Sequence, residues 1–170
     1  LNAKTTVPIT VTSTEINGTF ADVIAVYDAG ENGTILGLGN EAITITALLT
    51  VAQLNTLAAQ TTGIITAIII EGNIATLAGL TETGHALLIN VVDTSVAASA
   101  LNTLNAKTTG VVTVQATTIT GTATDISAAY AANTAGTITG LGNEAVILSN
   151  TSINASVLIT LDAFTTGMVN

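Results

Sequence analysis

The sequence predicts an α/β chain built as a repeat solenoid, parallel strands and short helices in leucine-rich-repeat-like coils, with a mainly-β parallel β-helix as the alternative. Three observations predict it: an internal duplication, evenly spaced short apolar runs, and an unusual composition. At an offset of 103, residues 1–46 align with 104–149 without a gap, and 25 of the 46 positions are identical. A match of that length marks an internal repeat. The duplicated segment opens on LNAKTT at Leu1–Thr6 and Leu104–Thr109 and closes on GLGNEA at Gly37–Ala42 and Gly140–Ala145. Between them recur Ile16/Ile119, Gly18/Gly121, Asp22/Asp125, Tyr27/Tyr130 and Gly33/Gly136.

A second echo runs through LNTLAAQTTG (Leu54–Gly63), LNTLNAKTTG (Leu101–Gly110) and LITLDAFTTG (Leu158–Gly167). It divides the chain into one solenoid segment of three units, approximately 1–63, 64–110 and 111–167, with both ends inside a repeat. The middle unit lacks the insert seen at Asn133–Gly142.

Apolar runs give seven expected strands: Val7–Val11, Ala42–Thr46, Ile64–Ile70, Ala86–Val92, Val111–Val114, Glu144–Ser149 and a stub at Met168. A helix is expected over Thr122–Asn133, which is Ala-rich with a Thr/Asp start. Another follows a cap at Asn150, Thr151 or Ser152 and sets Ile153, Val157, Leu158 and Leu161 on one face. Gly63, Gly110 and Gly167 stand where a chain leaving a helix turns left-handed, a conformation Gly adopts without steric cost. Residues 42–70 carry no charge over 29 positions, long enough to span a bilayer. Seven Thr, two Gln and an Asn lie within them, too many polar groups for lipid, so no membrane insertion is expected.

Composition fits strands. The 170 residues are 48% apolar but only 2% aromatic and 8% charged, and 34 of them are Thr, a β-branched residue suited to a pleated surface. Two Lys, no Arg and eleven acidic residues give a net charge of −9. Nucleic acid is excluded as a partner because its binding needs a cationic footprint. Zero Cys removes disulfides and thiolate chemistry.

Candidate chemistry is sparse. His85, in TETGHALLIN, replaces the Glu of GLGNEAVIL and has only Glu82 nearby, so it reads as a surface substitution. GLGNEA resembles a dinucleotide fingerprint, but both copies precede a strand instead of opening a helix. Asp22, Glu41, Asp125 and Glu144 recur in register and are the candidate ligands of a Ca²⁺ ladder. The alternative for Asp22 and Asp125 is a place at a helix N-terminus, where the dipole favours negative charge. No other cofactor is expected. Tyr27 and Tyr130 read as packing residues. Four N-x-[ST] triplets, at Asn17, Asn32, Asn150 and Asn154, are expected by chance at this Thr content. No enzyme is expected: the two Lys fall at equivalent positions of a repeated block, and there are no catalytic residues to name.

The blocks LNTLNAKTTG, TITGTATDI and GLGNEAVILS resemble tandem repeats of giant cell-surface and secreted proteins of marine cyanobacteria and other marine bacteria. The resemblance implies an extracellular or cell-surface location and a structural role in a filament, surface layer or adhesin. Its partners would be flanking repeats or copies stacked end to end, with surface glycans as a further partner. A Ca²⁺- or glycan-binding module on such a protein is the alternative, and a polysaccharide-acting solenoid enzyme the third. The calcium-binding nonapeptides of such relatives are missing here.

Overall fold

The structure, a computed structural model, describes residues 5–170; most of the first LNAKTT block, Lys4 included, lies outside the described residues. The strands are β1 (Ile9–Thr10), β2 (Glu15–Gly18), β3 (Ile35–Leu36), β4 (Ala42–Leu49), β5 (Ile65–Ile69) and β6 (Ala86–Val91). They continue as β7 (Ser95–Ala97), β8 (Val112–Val114), β9 (Thr118–Gly121), β10 (Ile138–Thr139) and β11 (Ala145–Leu148). Between them run α1 (Phe20–Glu31), α2 (Val51–Ala58), α3 (Ile74–Leu77), α4 (Ala98–Asn105), α5 (Ala123–Ala135) and α6 (Ala155–Asp162).

Side-chain hydroxyls and amides decide where the helices begin. Thr19, Thr50 and Thr122 accept from the N–H of Asp22, Gln53 and Asp125, and Gln53 returns a bond to the Thr50 N–H to close a capping box. Asn154 caps α6, two residues beyond the expected Ser152. Of the four apolar residues expected on one face of that helix, only Leu161 is buried among its helical members, while Val157 and Leu158 are exposed.

Every pairing is parallel. The large sheet has the order β10-β8-β6-β5-β4-β2, the small one β11-β9-β7, and β1 pairs with β3. Alternation sets the faces: Ile65, Ala67 and Ile69 of β5 point into the core, as do Leu87, Ile89 and Val91 of β6. These residues join Leu54, Leu57, Leu101 and Leu104 from the helices in one buried cluster that also takes in Val23, Ile126 and Leu161. Residues 42–70 resolve into β4, α2 and β5, and no helix among the described residues is long and apolar enough to cross a membrane.

The expected solenoid of leucine-rich-repeat-like coils does not form, and neither does the parallel β-helix. Such coils would each supply one strand and one short helix. Eleven strands are seen among the described residues, split over separate sheets, with six helices packed on a shared core. Pairings such as Thr66↔Ala86 and Ala145↔Thr118 join positions 20 or more residues apart. The chain is therefore a single α/β domain with long-range parallel pairing. The physical reason for the error is that apolar spacing reports only strands that present large side chains to the core. The polar strands β2 and β9 leave no such trace.

That correction extends to function. A repeat segment of an extracellular filament, surface layer or adhesin requires units that stack, whereas the buried cluster belongs to one folded domain. Stacking on flanking repeats or on copies end to end has no support in it.

Candidate functional site

Three equivalent positions, Glu41, His85 and Glu144, stand at the starts of β4, β6 and β11, and all three are buried. The expectation that His85 lies on the surface is overturned: it is 8% exposed. Its Nδ1 accepts the Ile65 N–H at 3.2 Å, and its Nε2 has no partner. Burial pushes the imidazole below its ordinary pKa, with the charge of Glu82 opposing, so the ring is held neutral.

Glu41 takes the Gly39 N–H at 2.8 Å and the Tyr27 hydroxyl at 3.1 Å on the same oxygen, Oε2. Glu144 takes the Tyr130 hydroxyl on Oε1 and the N–H groups of Gly142 and Asn143 at 2.8 and 3.0 Å on Oε2. Burial pushes the Glu41 carboxyl upward, but the Gly39 N–H and Tyr27 hydroxyl bonded to it, together with the nearby N–H groups of Glu41 and Asn40 that make no full hydrogen bond, outweigh it and hold it below its ordinary value. The tyrosines answer in the opposite sense. Burial and the neighbouring carboxylate push Tyr27 up to about 12 and raise Tyr130 likewise.

A Thr-Thr-Gly stitch secures each position from the adjoining segment. Thr61 and Thr165 donate to the Glu41 and Glu144 carbonyls at 2.7 Å, and Thr108 donates to the His85 carbonyl at 3.0 Å. The same hydroxyls accept the N–H of Gly63, Gly110 and Gly167. These glycines do not have the left-handed conformation expected of helix exits. Their helices end five residues earlier, and what they provide is close approach: a Cβ on Gly63 or Gly167 would overlap the Glu41 or Glu144 carbonyl.

The proposed Ca²⁺ ladder is not assembled. Glu41 and Glu144 turn inward, whereas Asp22 and Asp125 sit in the first turns of α1 and α5, taking the Thr19 and Thr122 hydroxyls at 2.7 Å. Among the described residues no three His, Asp or Glu side chains come together as a metal site. Asn150 and Asn154, both in N-x-[ST] triplets, bond the N–H groups of Ala123 and Ser156.

The feature that composition did not reveal is on the outer face of the large sheet. Leu48 pairs in register with Ile68, and Ile68 with Leu88, so three large apolar side chains form a row across β4, β5 and β6. They are 54%, 49% and 48% exposed, and Ile70, two residues past Ile68 on the same face, is exposed as well. Polar rows flank it: Thr44 and Thr66 on one side, with Thr44 bonded to Glu15 at 2.9 Å, and Asn90 with Gln115 and Thr113 with Thr139 on the other. A shallow hollow of about 180 Å³ lies over Ile68, Leu88 and Val111. A signal for it was present in IITAIII and HALLINVV, where apolar residues run on instead of alternating, the mark of a strand apolar on both faces.

Comparisons against protein-family models, curated proteins and solved structures each found no match. The resemblance to surface-protein repeats of marine bacteria is accordingly corrected: no family model matches, and the fold is a single α/β domain.

Proposed function

We propose that the domain is a non-enzymatic binding module whose contact surface is the outer face of the large sheet. The observation that carries this reading is the in-register row Leu48–Ile68–Leu88, three large apolar side chains each about half exposed. Contiguous exposed apolar patches rimmed by polar residues mark interaction surfaces. The rim chemistry selects the partner. Glu15 lies on the edge of the patch, and the chain as a whole carries −9, so an anionic partner is repelled and a cationic amphipathic segment is attracted. The engagement of Glu41, Glu144 and His85 with backbone N–H groups supports binding over catalysis. A Cys-free, acidic, Thr-rich chain also suits a location outside the cell, which immunolabelling of intact source cells tests directly.

The decisive experiment is calorimetry of the intact protein with a synthetic Leu/Lys amphipathic peptide. Binding that weakens at least tenfold in the Ile68→Thr variant, with strand propensity retained by the β-branched replacement, is the expected result. Equal binding to both proteins, or none to either, rejects the sheet face as the site.

A further inference from the structure

Helix α3 is a single turn, Ile74–Leu77, where its neighbours α2 and α4 each run eight residues. Beside it, between α3 and α4, a groove of about 290 Å³ lies over Ile74, Leu77, Ala100 and Leu104. Leu77 and Leu104 are buried and form a fixed apolar floor. At the rim stands Lys107, the one Lys among the described residues of a chain that has no Arg.

Lys107 donates to the Thr81 carbonyl at 3.2 Å, a neutral partner in a chain with eleven carboxylates. An ammonium has three donors, so further donor capacity is available at the mouth of the groove. Among the three equivalent positions of the Thr-Thr-Gly blocks, Gln60, Lys107 and Phe164, only the middle one is charged, and it is the one beside the shortened helix.

We propose that this groove binds a small amphipathic monocarboxylate, its apolar body over Leu77 and Leu104 and its carboxylate on Lys107 Nζ. The size falls at the lower end for small-molecule sites, which limits the ligand to a short chain or a single ring. Lys107 puts one positive charge at the mouth, enough to hold one carboxylate against the chain's overall −9; a phosphate or polyanion would meet that repulsion with no second cation. No carboxylate lines this groove; Asp125 lines the adjoining hollow on the other side of Lys107. The groove is on the helices, apart from the apolar row of the sheet, so this inference stands or falls independently of the proposed partner surface.

The test uses octanoate as the carboxylate probe and octanol as its neutral counterpart, followed by amide chemical shifts in the intact protein. Octanoate is expected to shift amides in residues 74–78 and 99–107, and to bind at least tenfold more tightly than octanol. Lys107→Met, which keeps the stem but removes the charge, should erase that preference. Ala100→Leu, which fills the groove from a half-buried position on α4, should abolish both. Equal affinity for the two probes, an unchanged preference in Lys107→Met, shifts confined to the sheet face, or no binding by ~10 mM would each overturn the proposal.

Discussion

Glu41 and Glu144 occupy equivalent positions in the two copies of the duplicated segment, and both are 1% exposed, yet they are satisfied to different degrees. Glu144 spreads three bonds over both carboxylate oxygens. Glu41 receives two, both on Oε2, and its Oε1 is buried without a partner. The tyrosines differ too: Tyr130 stacks on Phe164 with ring centroids 5.1 Å apart, whereas the corresponding neighbour of Tyr27 is Gln60, at the edge of an open cleft of about 320 Å³. Identical residues therefore produce the same Tyr–Glu pairing in both copies but not the same set of bonds, and the variable position after the helix is a stacked aromatic in one copy and an amide beside a cleft in the other. In the middle unit that position is Lys107, and the enclosure is replaced by a charged groove.

The largest effects are expected where the two copies are the same. Gly63→Ala and Gly167→Ala each drive a Cβ into the carbonyl of the buried Glu, where the nearest atoms are all backbone and no flexible side chain can give way. Each should cost about 3 kcal/mol or prevent folding, as read from urea unfolding. Gly33→Ala is the control, since its φ of +70° strains any side chain but open space surrounds it; about 1 kcal/mol is expected. Losses of that size at all three positions would show that the carbonyl contact does not fix the strand starts.

Tyr→Phe exchanges separate the copies. Each removes a hydrogen bond to a buried carboxylate, worth about 1.5–3 kcal/mol. Tyr130→Phe leaves Glu144 with two N–H donors, but Tyr27→Phe leaves Glu41 with one, so the second should be the more damaging. Acid unfolding sharpens the difference. The Glu41 carboxyl lies below its ordinary 4.5 because hydrogen bonds overcome burial. A depressed carboxylate stabilises the fold above that ordinary value, and this stabilisation is lost as pH falls through the folded value. Tyr27→Phe removes part of the depression and should move the acid limb to higher pH. The alkaline limb behaves in the opposite sense: a hydroxyl raised to about 12 stabilises below pH 10 and loses that contribution as pH rises toward 12, so Tyr27→Phe should flatten it.

The positions of most strands and of α5 were visible in the residues, whereas the way they assemble, one α/β domain in place of the expected solenoid, was hidden for definable reasons. All seven expected strand regions contain a strand or, near Met168, the Val146↔Val169 bridge, because large apolar side chains alternate or cluster there. Thr122 announces α5 through ordinary capping chemistry. Strands β2, β3, β7, β9 and β10 are two to four residues long and were not anticipated, since so short a run has no period of its own. Duplication showed that Glu41 and Glu144 are equivalent but not which way they point. A Glu or His at the start of a strand looks solvated until the backbone N–H groups and the tyrosine that receive it are placed in three dimensions. Gly63, Gly110 and Gly167 were singled out correctly as special but assigned the wrong reason, left-handed geometry in place of backbone proximity.

His85 tests the same position with a different side chain. Buried and accepting the Ile65 N–H, it must stay neutral, and its pKa lies below 6.5. The unfolded chain then binds the extra proton first, so stability is complete above pH 6.5 and declines as pH falls from there toward the folded value. One group contributes a slope of at most about 1.4 kcal/mol per pH unit. His85→Gln should remove that slope while retaining an acceptor for the Ile65 N–H. Denaturant titrations at pH 5 and pH 8 check it, and an unchanged difference between them would assign the slope to other groups.

The smallest effect returns to the two copies at a point where they should not differ. Thr19 and Thr122 each accept an Asp N–H, at 3.3 and 3.1 Å, and each donates to that Asp carboxylate at 2.7 Å. Thr19→Ala and Thr122→Ala should each cost about 1 kcal/mol, the usual worth of a helix cap. The two helices end differently, α1 at a C-cap Asn32 and α5 at a left-handed Gly136. Cap energies are local to the first turn, however, and a frayed C-terminus leaves that turn intact. Matched losses would confine the difference between the copies to the buried Tyr–Glu pair. A larger loss in Thr19→Ala would show that the open cleft beside Tyr27 weakens the whole amino-terminal copy, including its first helical turn.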